Sequence, residues 1–519
     1  MLRRRYVVNP SLLPRPRWGE GRQGRLTLTS PLRVSCDDDL LDALDVFGDD
    51  MAASVGWDVV RVHDGQCDIR LAATATFAEE EYSLDVHDRV DIAASSAAGA
   101  AHALTTLRQL GPARLWGRGG EVLESWTIQR QSIVDRPTFA WRGAHLDVAR
   151  HFFDVEVVLR LIDLLAAHRL NRLHLHLNDD QGWRIEVPAW PRLTGIGSRR
   201  RSSPIGHESD GRSDETPHEG YYSAKDVARI VDHARRRHIV VVPEIDLPGH
   251  AQAVLAAYPQ FANTDEPLEV WTRWGISTNV LNVEPATLDF AEDVVRHVAA
   301  LFGRSPVHIG GDECPSDQWD ASPAARAVME GCGFESAGQL QGLFTDRLAR
   351  MLMSEGHEVL AWDEVLDAAL TPGTTIVAWR SVDKGIEAAR RGCDVIMAPM
   401  QYLYLDWLSS DAPDEPVAVA PVPFVTTWEK VYGFDVIPDE LDATLHHHVR
   451  GAQVQLWTEY IDSVARLDYM AFPRLSAFAE VAWGTAGELG EFRHRLEDHL
   501  KRLDAMGVSY RPLDVADDA

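Results

Sequence analysis

The sequence predicts an α/β fold in which a closed (β/α)₈ TIM barrel follows a smaller α+β domain. The chain has 519 residues, more than one hydrophobic core usually supports, and this length favours two domains. After residue 136, short apolar runs alternate with longer helical stretches, which is the rhythm of a parallel sheet. We expect an irregular lead-in over residues 1–24, an α+β domain over 25–136, and the barrel with a C-terminal helix over 137–519.

Composition argues against several classes of protein. The formal net charge of −28 disfavours binding to nucleic acid or to anionic lipid through bulk charge. No apolar segment approaches the roughly 18 residues of a membrane span. The N-terminus lacks the apolar run of a secretory signal, so we expect a cytoplasmic protein. The five cysteines are scattered without metal-ligand spacing, as is typical of reduced thiols.

The region before residue 137 has the pattern of a modest mixed domain. Its candidate elements are strands at 26–29 and 32–35, a helix at 39–46, a hairpin over 82–93 and a helix at 97–110. No group of reactive side chains occurs among them. We therefore interpret this domain as a scaffold.

Eight short apolar runs follow, and each is long enough for a buried strand. The candidate strands are residues 143–148, 172–177, 239–245, 307–310, 358–362, 375–379, 394–398 and 452–457. Helical stretches fit between them; residues 155–170, for example, place Val158, Leu161 and Leu165 on one face. Eight such units predict a closed barrel.

The chemistry of such a barrel lies at the carboxyl ends of its strands. Here these ends carry Trp, Tyr, Arg, His or carboxylate side chains, which chance would have spread over both rims. The residues are, in strand order, Arg150, Asp179, Asp246, His250, Asp312, Glu313, Trp362, Trp379, Tyr404, Asp406, Trp457 and Glu459. We therefore predict a functional site at this rim.

The fourth strand end combines adjacent glycines with adjacent carboxylates. Two glycines, Gly310 and Gly311, precede the adjacent carboxylates Asp312 and Glu313, and Pro315 prevents the strand from continuing. An ionised carboxylate at the end of a buried strand costs several kcal/mol to desolvate unless it is paired or used. Capping of the next helix would explain an isolated pair of acids, but the other strand ends favour a catalytic role.

The spacing of His174 and His176 also fits a hydrolytic metal site, because residues two apart on a strand face the same way. A complementary set of ligands on later strands is not evident in the sequence. We therefore interpret these histidines as residues of the barrel core, and we expect neither a metal nor a cofactor.

The rim of acids and tryptophans favours a glycosidase, in which aromatic faces hold the sugar ring and a protonated carboxyl donates to the leaving oxygen. A conventional retaining enzyme needs two carboxyls on opposite sides of the anomeric carbon. Neighbours in sequence such as Asp312 and Glu313 are an awkward source of that pair. One solution is a substrate that supplies its own nucleophile.

The stretch His308-Ile309-Gly310-Gly311-Asp312-Glu313 resembles the signature of the family 20 glycoside hydrolases, the β-N-acetylhexosaminidases. Further blocks resemble that family in the same order, at residues 146–151, 178–184, 243–250, 404–406 and 457–459. Residues 82–110 also resemble the small domain that precedes the barrel in that family. The similarity therefore spans the whole barrel.

The resemblance implies a retaining exo-β-N-acetylhexosaminidase that acts on carbohydrate with a terminal N-acetylglucosamine or N-acetylgalactosamine. The substrate's acetamido oxygen would attack the anomeric carbon, and water would open the resulting oxazoline with retention. Glu313 would be the general acid and base. Asp312 would orient the acetamido group and stabilise its positive charge, while Tyr404 would donate to its carbonyl oxygen.

The resemblance also implies binding roles for other rim residues. These are Trp362, Trp379 and Trp457 as walls of the acetamido pocket, Arg150, Asp406 and Glu459 as partners of the sugar hydroxyls, and Asp179, Asp246 and His250 as a network around the acid. We place Trp428 as an additional sugar platform beyond the long loop 409–421. We expect the polar loop 195–220 to be mobile or to shape the aglycone site.

Two other functions stay open at this point. A sugar-binding barrel without catalysis would have no use for a protonated acid, so Asp312 and Glu313 count against it. A conventional retaining glycosidase would not need the set of Tyr404 and tryptophans.

Overall fold

The computed structural model describes residues 11–63, 65–119, 122–368, 370–419 and 425–513. It confirms the predicted fold class, a closed parallel barrel of eight strands preceded by a smaller α+β domain. Within the described residues, we find no helix with the length and apolar character needed to cross a membrane.

The N-terminal domain is a seven-stranded mixed sheet with two helices. Its strands are β1 (Trp18–Leu28), β2 (Leu32–Cys36), β3 (Val59–Arg61), β4 (Ile69–Ala73), β5 (Tyr82–Val86), β6 (Val90–Ala94) and β7 (Trp126–Asp135), in the order β1-β7-β5-β6-β4-β2-β3. Helices α1 (Leu41–Val55) and α2 (Ala97–Gln109) pack against each other, and α2 lies on β5 and β6. The predicted hairpin is the antiparallel pair β5–β6.

The first strand corrects part of the predicted lead-in. We expected an irregular segment through residue 24, but β1 begins at Trp18 and pairs with β7, where Trp18 lies opposite Val134. The Arg- and Gly-rich composition conceals this strand, because its partner lies more than a hundred residues away in the sequence. Residues 1–10 of the predicted lead-in lie outside the described part of the chain.

Every pair of neighbouring barrel strands is parallel. The strands are β8 (Trp141–Asp147), β9 (Arg172–His176), β10 (Val240–Glu244), β11 (Val307–His308), β12 (Val359–Trp362), β13 (Thr375–Ala378), β14 (Val395–Met397) and β15 (Val449–Val454). The barrel closes between β15 and β8. All eight carboxyl ends therefore meet at one rim.

Among the described residues, eight helices of at least nine residues follow the second domain's strands. They are α3 (Val155–Ala167), α4 (Ala224–Arg236), α5 (Pro285–Phe302), α6 (Pro323–Cys332), α7 (Gln341–Ser354), α8 (Val382–Arg390), α9 (Arg474–Trp483) and α10 (Leu489–Ala505). As predicted, α3 buries Val158, Leu161 and Leu165. Between β12 and β13 the described residues form only a short 3₁₀ turn, Asp363–Leu366.

The eighth strand begins and ends earlier in the sequence than predicted. We expected it at 452–457, but it runs over Val449–Val454. Residue Gly451 has φ +150° and lies against β8 so closely that a Cβ would come 1.8 Å from the Trp141 carbonyl oxygen. The strand therefore begins earlier, and Trp457 and Glu459 stand on the loop beyond it.

Candidate active site

A pocket opens at the carboxyl rim of the barrel, where the sequence predicts the site. It is lined by Arg150, Gly275, Ile276, Asp312, Glu313, Trp362, Trp379, Met400, Tyr404, Asp406, Trp407, Val419, Trp457 and Glu459. Six of the eight strands contribute through the residues at or just beyond their ends. Asp179, Asp246 and His250 lie behind this lining.

The backbone after β11 turns sharply to bring two carboxylates to the pocket. Gly310 and Gly311 adopt φ +64° and +104°, and a Cβ on Gly310 would lie 2.0 Å from Asp246 Oδ1. The Gly311 N–H donates to the same oxygen at 2.8 Å. Glu313 also has a positive φ, +46°, a strained conformation for a residue with a side chain. The glycines therefore allow the close approach that places Asp312 and Glu313.

Asp312 and Asp246 form a coupled pair of buried carboxyl groups. Their oxygens and a nitrogen of His250 lie within 4.8 Å of one another. Burial raises the pKa of Asp312 well above its usual range, and the Asp246 carboxylate raises it further. Burial also raises the pKa of Asp246. Because two like charges this close disfavour each other, the pair titrates as a unit.

His250 connects this pair to Asp179. Its Nδ1 lies 3.2 Å from Asp179 Oδ1, and its Nε2 lies 3.7 Å from Asp312 Oδ2 and 3.8 Å from Glu313 Oε2. Burial alone would lower the pKa of His250, but the carboxylates of Asp179 and Asp180 raise it well above its usual range. A cationic imidazole therefore faces both carboxyl groups of the predicted catalytic pair.

Three charged side chains in the pocket lining suit sugar hydroxyls. Arg150 Nη2 contacts Asp179 at 2.8 Å, and its guanidinium stacks 5.0 Å from the Trp457 ring centroid. Asp406 Oδ1 and Glu459 Oε2 are buried and have no hydrogen-bond partner among the described residues. Burial raises the pKa of both carboxyl groups. Unpartnered acceptors that line a pocket are suited to ligand donors.

Aromatic rings enclose the space beside Asp312. Trp379 stacks on Tyr404 with 6.1 Å between centroids and an interplanar angle of 26°. Trp362 lies 6.1 Å from Trp457. Hydrogen bonds hold two of these indoles in place. Trp362 Nε1 donates to Glu244 Oε1 at 2.7 Å, and Trp379 Nε1 donates to Glu364 at 3.0 Å. The result is a pocket with rigid apolar walls.

One predicted residue does not belong to the pocket. Trp428 is 4% exposed, packs 5.8 Å from the Phe492 ring and lies in the main hydrophobic core. Our placement of Trp428 as a sugar platform is therefore wrong. The pocket instead receives Trp407, which directly follows Asp406 in the sequence and is T-shaped to Tyr404 at 6.1 Å. That position after the seventh strand was the signal that could have identified it.

The two long loops approach the mouth of the pocket. In loop 195–220, Glu208 accepts from the Trp274 backbone at 3.0 Å and thereby supports the segment that carries Gly275 and Ile276. In loop 409–421, Val419 reaches the lining, whereas residues 420 and 421 lie outside the described part of the chain.

Several groups of side chains at the rim and in the barrel have donor atoms close enough for a metal ion. They are His145 with His176 and Glu244, His174 with Glu244 and His308, Asp179 with Asp180 and His250, and Asp246 with His250 and Asp312. The predicted pair His174 and His176 thus points into the barrel core towards Glu244. That no metal is needed stays a prediction.

Comparison with known proteins shows similarity along nearly the whole chain. Residues 139–486 match the model of the glycosyl hydrolase family 20 catalytic domain, and residues 9–136 match domain 2 of that family. A Beta-hexosaminidase of Porphyromonas gingivalis is 40% identical over 440 residues, which are 83% of this chain and 54% of that protein. A Beta-hexosaminidase of Vibrio furnissii is 34% identical over 90% of this chain and 76% of its own length.

Solved structures show the same similarity. The GH20 exo-β-N-acetylglucosaminidase of Vibrio harveyi in complex with N-acetylglucosamine superimposes with a TM-score of 0.85 at 31% identity, covering 98% of this chain and 79% of that one. The N-acetyl-β-hexosaminidase of Streptomyces plicatus in complex with Thio-NAglucal gives 0.83 at 30% identity, with 97% of both chains covered. The chain therefore spans about half the length of the first relative and nearly all of the Streptomyces plicatus protein.

Proposed function

The chain belongs to glycosyl hydrolase family 20, and we propose that it is a retaining exo-β-N-acetylhexosaminidase using substrate-assisted catalysis. The observation that carries the proposal is the position of Asp312 beside the pocket of Trp362, Trp379 and Tyr404. An apolar pocket fits the methyl group of an acetamide, and the carboxylate beside it stabilises the positive charge that the acetamide develops as it reacts.

In the first step the acetamido oxygen of the substrate bonds to the anomeric carbon as the glycosidic C–O bond breaks. Glu313 gives its proton to the leaving oxygen, and Asp312 accepts a hydrogen bond from the acetamide N–H. Tyr404 donates its hydroxyl to the acetamide oxygen. His250, between both carboxyl groups, favours the negative charge that Glu313 acquires.

In the second step water attacks the anomeric carbon and the bond to the acetamide oxygen breaks. Glu313 now takes a proton from this water, so the same carboxyl group acts as base after it has acted as acid. Both bonds to the anomeric carbon form on opposite faces in turn, and the product retains the configuration of the substrate.

The charged side chains of the pocket support binding of a terminal sugar. Arg150, Asp406 and Glu459 line the pocket, and the two carboxylates have unpartnered oxygens for hydroxyl donors. A terminal sugar bound there would have its non-reducing hydroxyls against charged side chains.

Three nitrophenyl glycosides test the proposal: the N-acetyl-β-glucosaminide, the N-acetyl-β-galactosaminide and the plain β-glucoside. We expect release of nitrophenol from the N-acetylated sugars and very slow turnover of the glucoside, which lacks the nucleophile. Comparable turnover of the glucoside would refute the mechanism.

Mass spectrometry after incubation with a fluorinated sugar that retains the 2-acetamido group gives an independent test. We expect no covalent adduct on the protein. A stable glycosyl ester on an Asp or Glu would show that the enzyme supplies its own nucleophile.

A further inference from the structure

Below the pocket, the barrel core holds a carboxylate surrounded by histidines. Glu244, the last residue of β10, is fully buried. Its Oε2 lies 2.6 Å from His176 Nδ1 and 3.1 Å from His174 Nε2, and its Oε1 lies 3.1 Å from His308 Nδ1. Oε1 also accepts the indole N–H of Trp362 at 2.7 Å. The mechanism proposed above uses neither Glu244 nor these histidines.

His176 stands between two carboxylates. Its Nδ1 faces Glu244 at 2.6 Å and its Nε2 faces Asp179 Oδ2 at 3.0 Å. A neutral imidazole has a single N–H and would leave one of these acceptors facing a lone pair. Burial alone would lower the pKa of His176, but Glu244 and Asp179 raise it to about 10. The ring is therefore a cation that donates to both carboxylates.

Asp179 contacts both His176 and His250, and so connects the ion pair to the catalytic pair. Its Oδ2 lies near both His176 Nε2 and Arg150 Nη2, at 3.0 and 2.8 Å, and its Oδ1 accepts from His250 Nδ1 at 3.2 Å. The Nε2 of His250 then faces Glu313. An unbroken series of charged contacts joins Glu244 to the predicted acid.

We propose that Glu244 and His176 form a buried ion pair that positions Asp179 and, through it, holds His250 against Glu313. Both are positioning residues, because neither lines the pocket. The inference rests on the proposed function, since it assigns the pair a role in that reaction. Glu244 has a second effect, because it also anchors the indole of Trp362 that walls the acetamido pocket.

The same atoms could be taken for a metal site, but one distance argues against it. Ligands around a tetrahedral ion with bonds of about 2.0–2.1 Å lie roughly 3.3 Å apart. His176 Nδ1 and Glu244 Oε2 are 2.6 Å apart, the distance of a direct charge-assisted hydrogen bond. His176 and Glu244 therefore contact each other directly, and these two atoms are too close together to be ligands of one tetrahedral ion.

The pH dependence of such a pair is affected by all charged groups that surround it. On or after β8 they are His145, Asp147 and Arg150, and on or after β9 they are His174, Asp179 and Asp180. After β10 they are Asp246 and His250, and on or after β11 they are His308, Asp312 and Glu313. The variants below change the charge only at Glu244 and His176 themselves.

The test compares Glu244→Gln and His176→Gln through the pH profile of kcat/KM on the nitrophenyl N-acetyl-glucosaminide. In His176→Gln a positive charge disappears and Glu244 stays ionised, so His250 holds its proton more tightly. In Glu244→Gln the positive charge of His176 is lost together with the negative charge that stabilised it. We expect the alkaline limb to move to higher pH in both, and further in His176→Gln, by about half a unit or more.

We also expect kcat/KM at the optimum to fall about 10- to 100-fold in both variants, as for other residues that orient a reactive group. His174→Gln is the matched control. His174 is equally buried and lies beside Glu244, but burial lowers its pKa to about 4, so its replacement removes no charge at neutral pH. Its alkaline limb should stay in place. A uniform loss of activity with unmoved limbs in the first two variants would overturn the proposal.

Wild-type activity on the glycoside panel separates this inference from the proposed function. An active wild type with unmoved limbs in both variants refutes the ion pair alone, whereas an inactive wild type refutes the function. Nitrogen-15 histidine NMR of the wild type provides a measurement that needs no variant. We expect buried imidazolium signals to persist at about pH 9, as the raised pKa values of His176 and His250 require. Their absence there would also overturn the proposal.

Discussion

Asp246→Asn removes the charge of Asp246, the carboxyl group behind the pocket that is coupled to Asp312 in its lining, while it preserves the shape of the side chain. The asparagine oxygen can still accept the Gly311 N–H, which Asp246 Oδ1 accepts at 2.8 Å. Asp312 must be ionised to stabilise a positive oxazolinium, so protonation of Asp312 in the free enzyme limits activity at low pH. Because Asp246 raises the pKa of Asp312, the variant should stay active at lower pH.

The size of this effect follows from the separation of the groups. Their oxygens lie within 4.8 Å, and two unit charges at that distance interact by roughly 3.5 kcal/mol at an effective dielectric constant of about 20. Sharing of a proton and the remaining amide dipole reduce this value. We expect the acid limb of kcat/KM to move down by about one to two pH units.

The assay is nitrophenol release from the N-acetyl-glucosaminide at low substrate, quenched with alkali, across the acid range. Glu480→Gln is the control, since Glu480 is a buried carboxylate that pairs with Arg495 away from the pocket. An acid limb that stays in place, or that moves to higher pH in a folded Asp246→Asn variant, would refute the reasoning.

Three further outcomes are expected. Glu313→Gln should lower kcat/KM on a natural disaccharide by about 10²–10⁴-fold, with a smaller loss on nitrophenyl substrates; near-normal disaccharide turnover would contradict its role as acid. Trp428→Ala should lower the free energy of unfolding in urea by about 3–5 kcal/mol without changing KM, because the ring packs on Phe492 in the core; a raised KM with normal stability would return it to the sugar site. Burial lowers the pKa of His168 to about 4, and it also lowers the pKa of His499, whose Nε2 lies 2.9 Å from His168 Nε2. As the pH decreases from about 6.5 to 4, the unfolded chain takes up protons that the folded protein does not, so the free energy of unfolding should fall. Urea titrations that show no such fall, or an equally steep fall in His499→Gln, would contradict this.

The barrel could be predicted because its strands are short, apolar and regularly spaced. Buried parallel strands need apolar side chains on both faces, and the intervals between them fit helices. The connection from β12 to β13 was harder, because its described residues form only the 3₁₀ turn Asp363–Leu366, yet the two strands are adjacent and parallel. Strand β1 was not predicted over its full length, because its pairing with β7 is a long-range contact that cannot be inferred from local composition.

The rim residues could be predicted because position at a strand end restricts where a side chain points. Trp428 and Trp407 show the limit of this reasoning. Both follow the seventh strand, and a loop of unknown path separates them, so the sequence alone does not determine which indole faces the sugar. The contact of His176 with Glu244 and Asp179 depends on the closure of the barrel and on distances of a few tenths of an ångström.

The left-handed backbone at Glu313 has a consequence for how this fold can change. His250, which lies behind the pocket lining, shares the feature with φ +45°, so these two residues each cost about 1–3 kcal/mol of backbone strain. Selection for heat resistance alone would relieve that strain first, and glycine at position 313 would do so while it removed the acid. The most durable form of this chain and its most active form are therefore different sequences, and they diverge at the pocket itself.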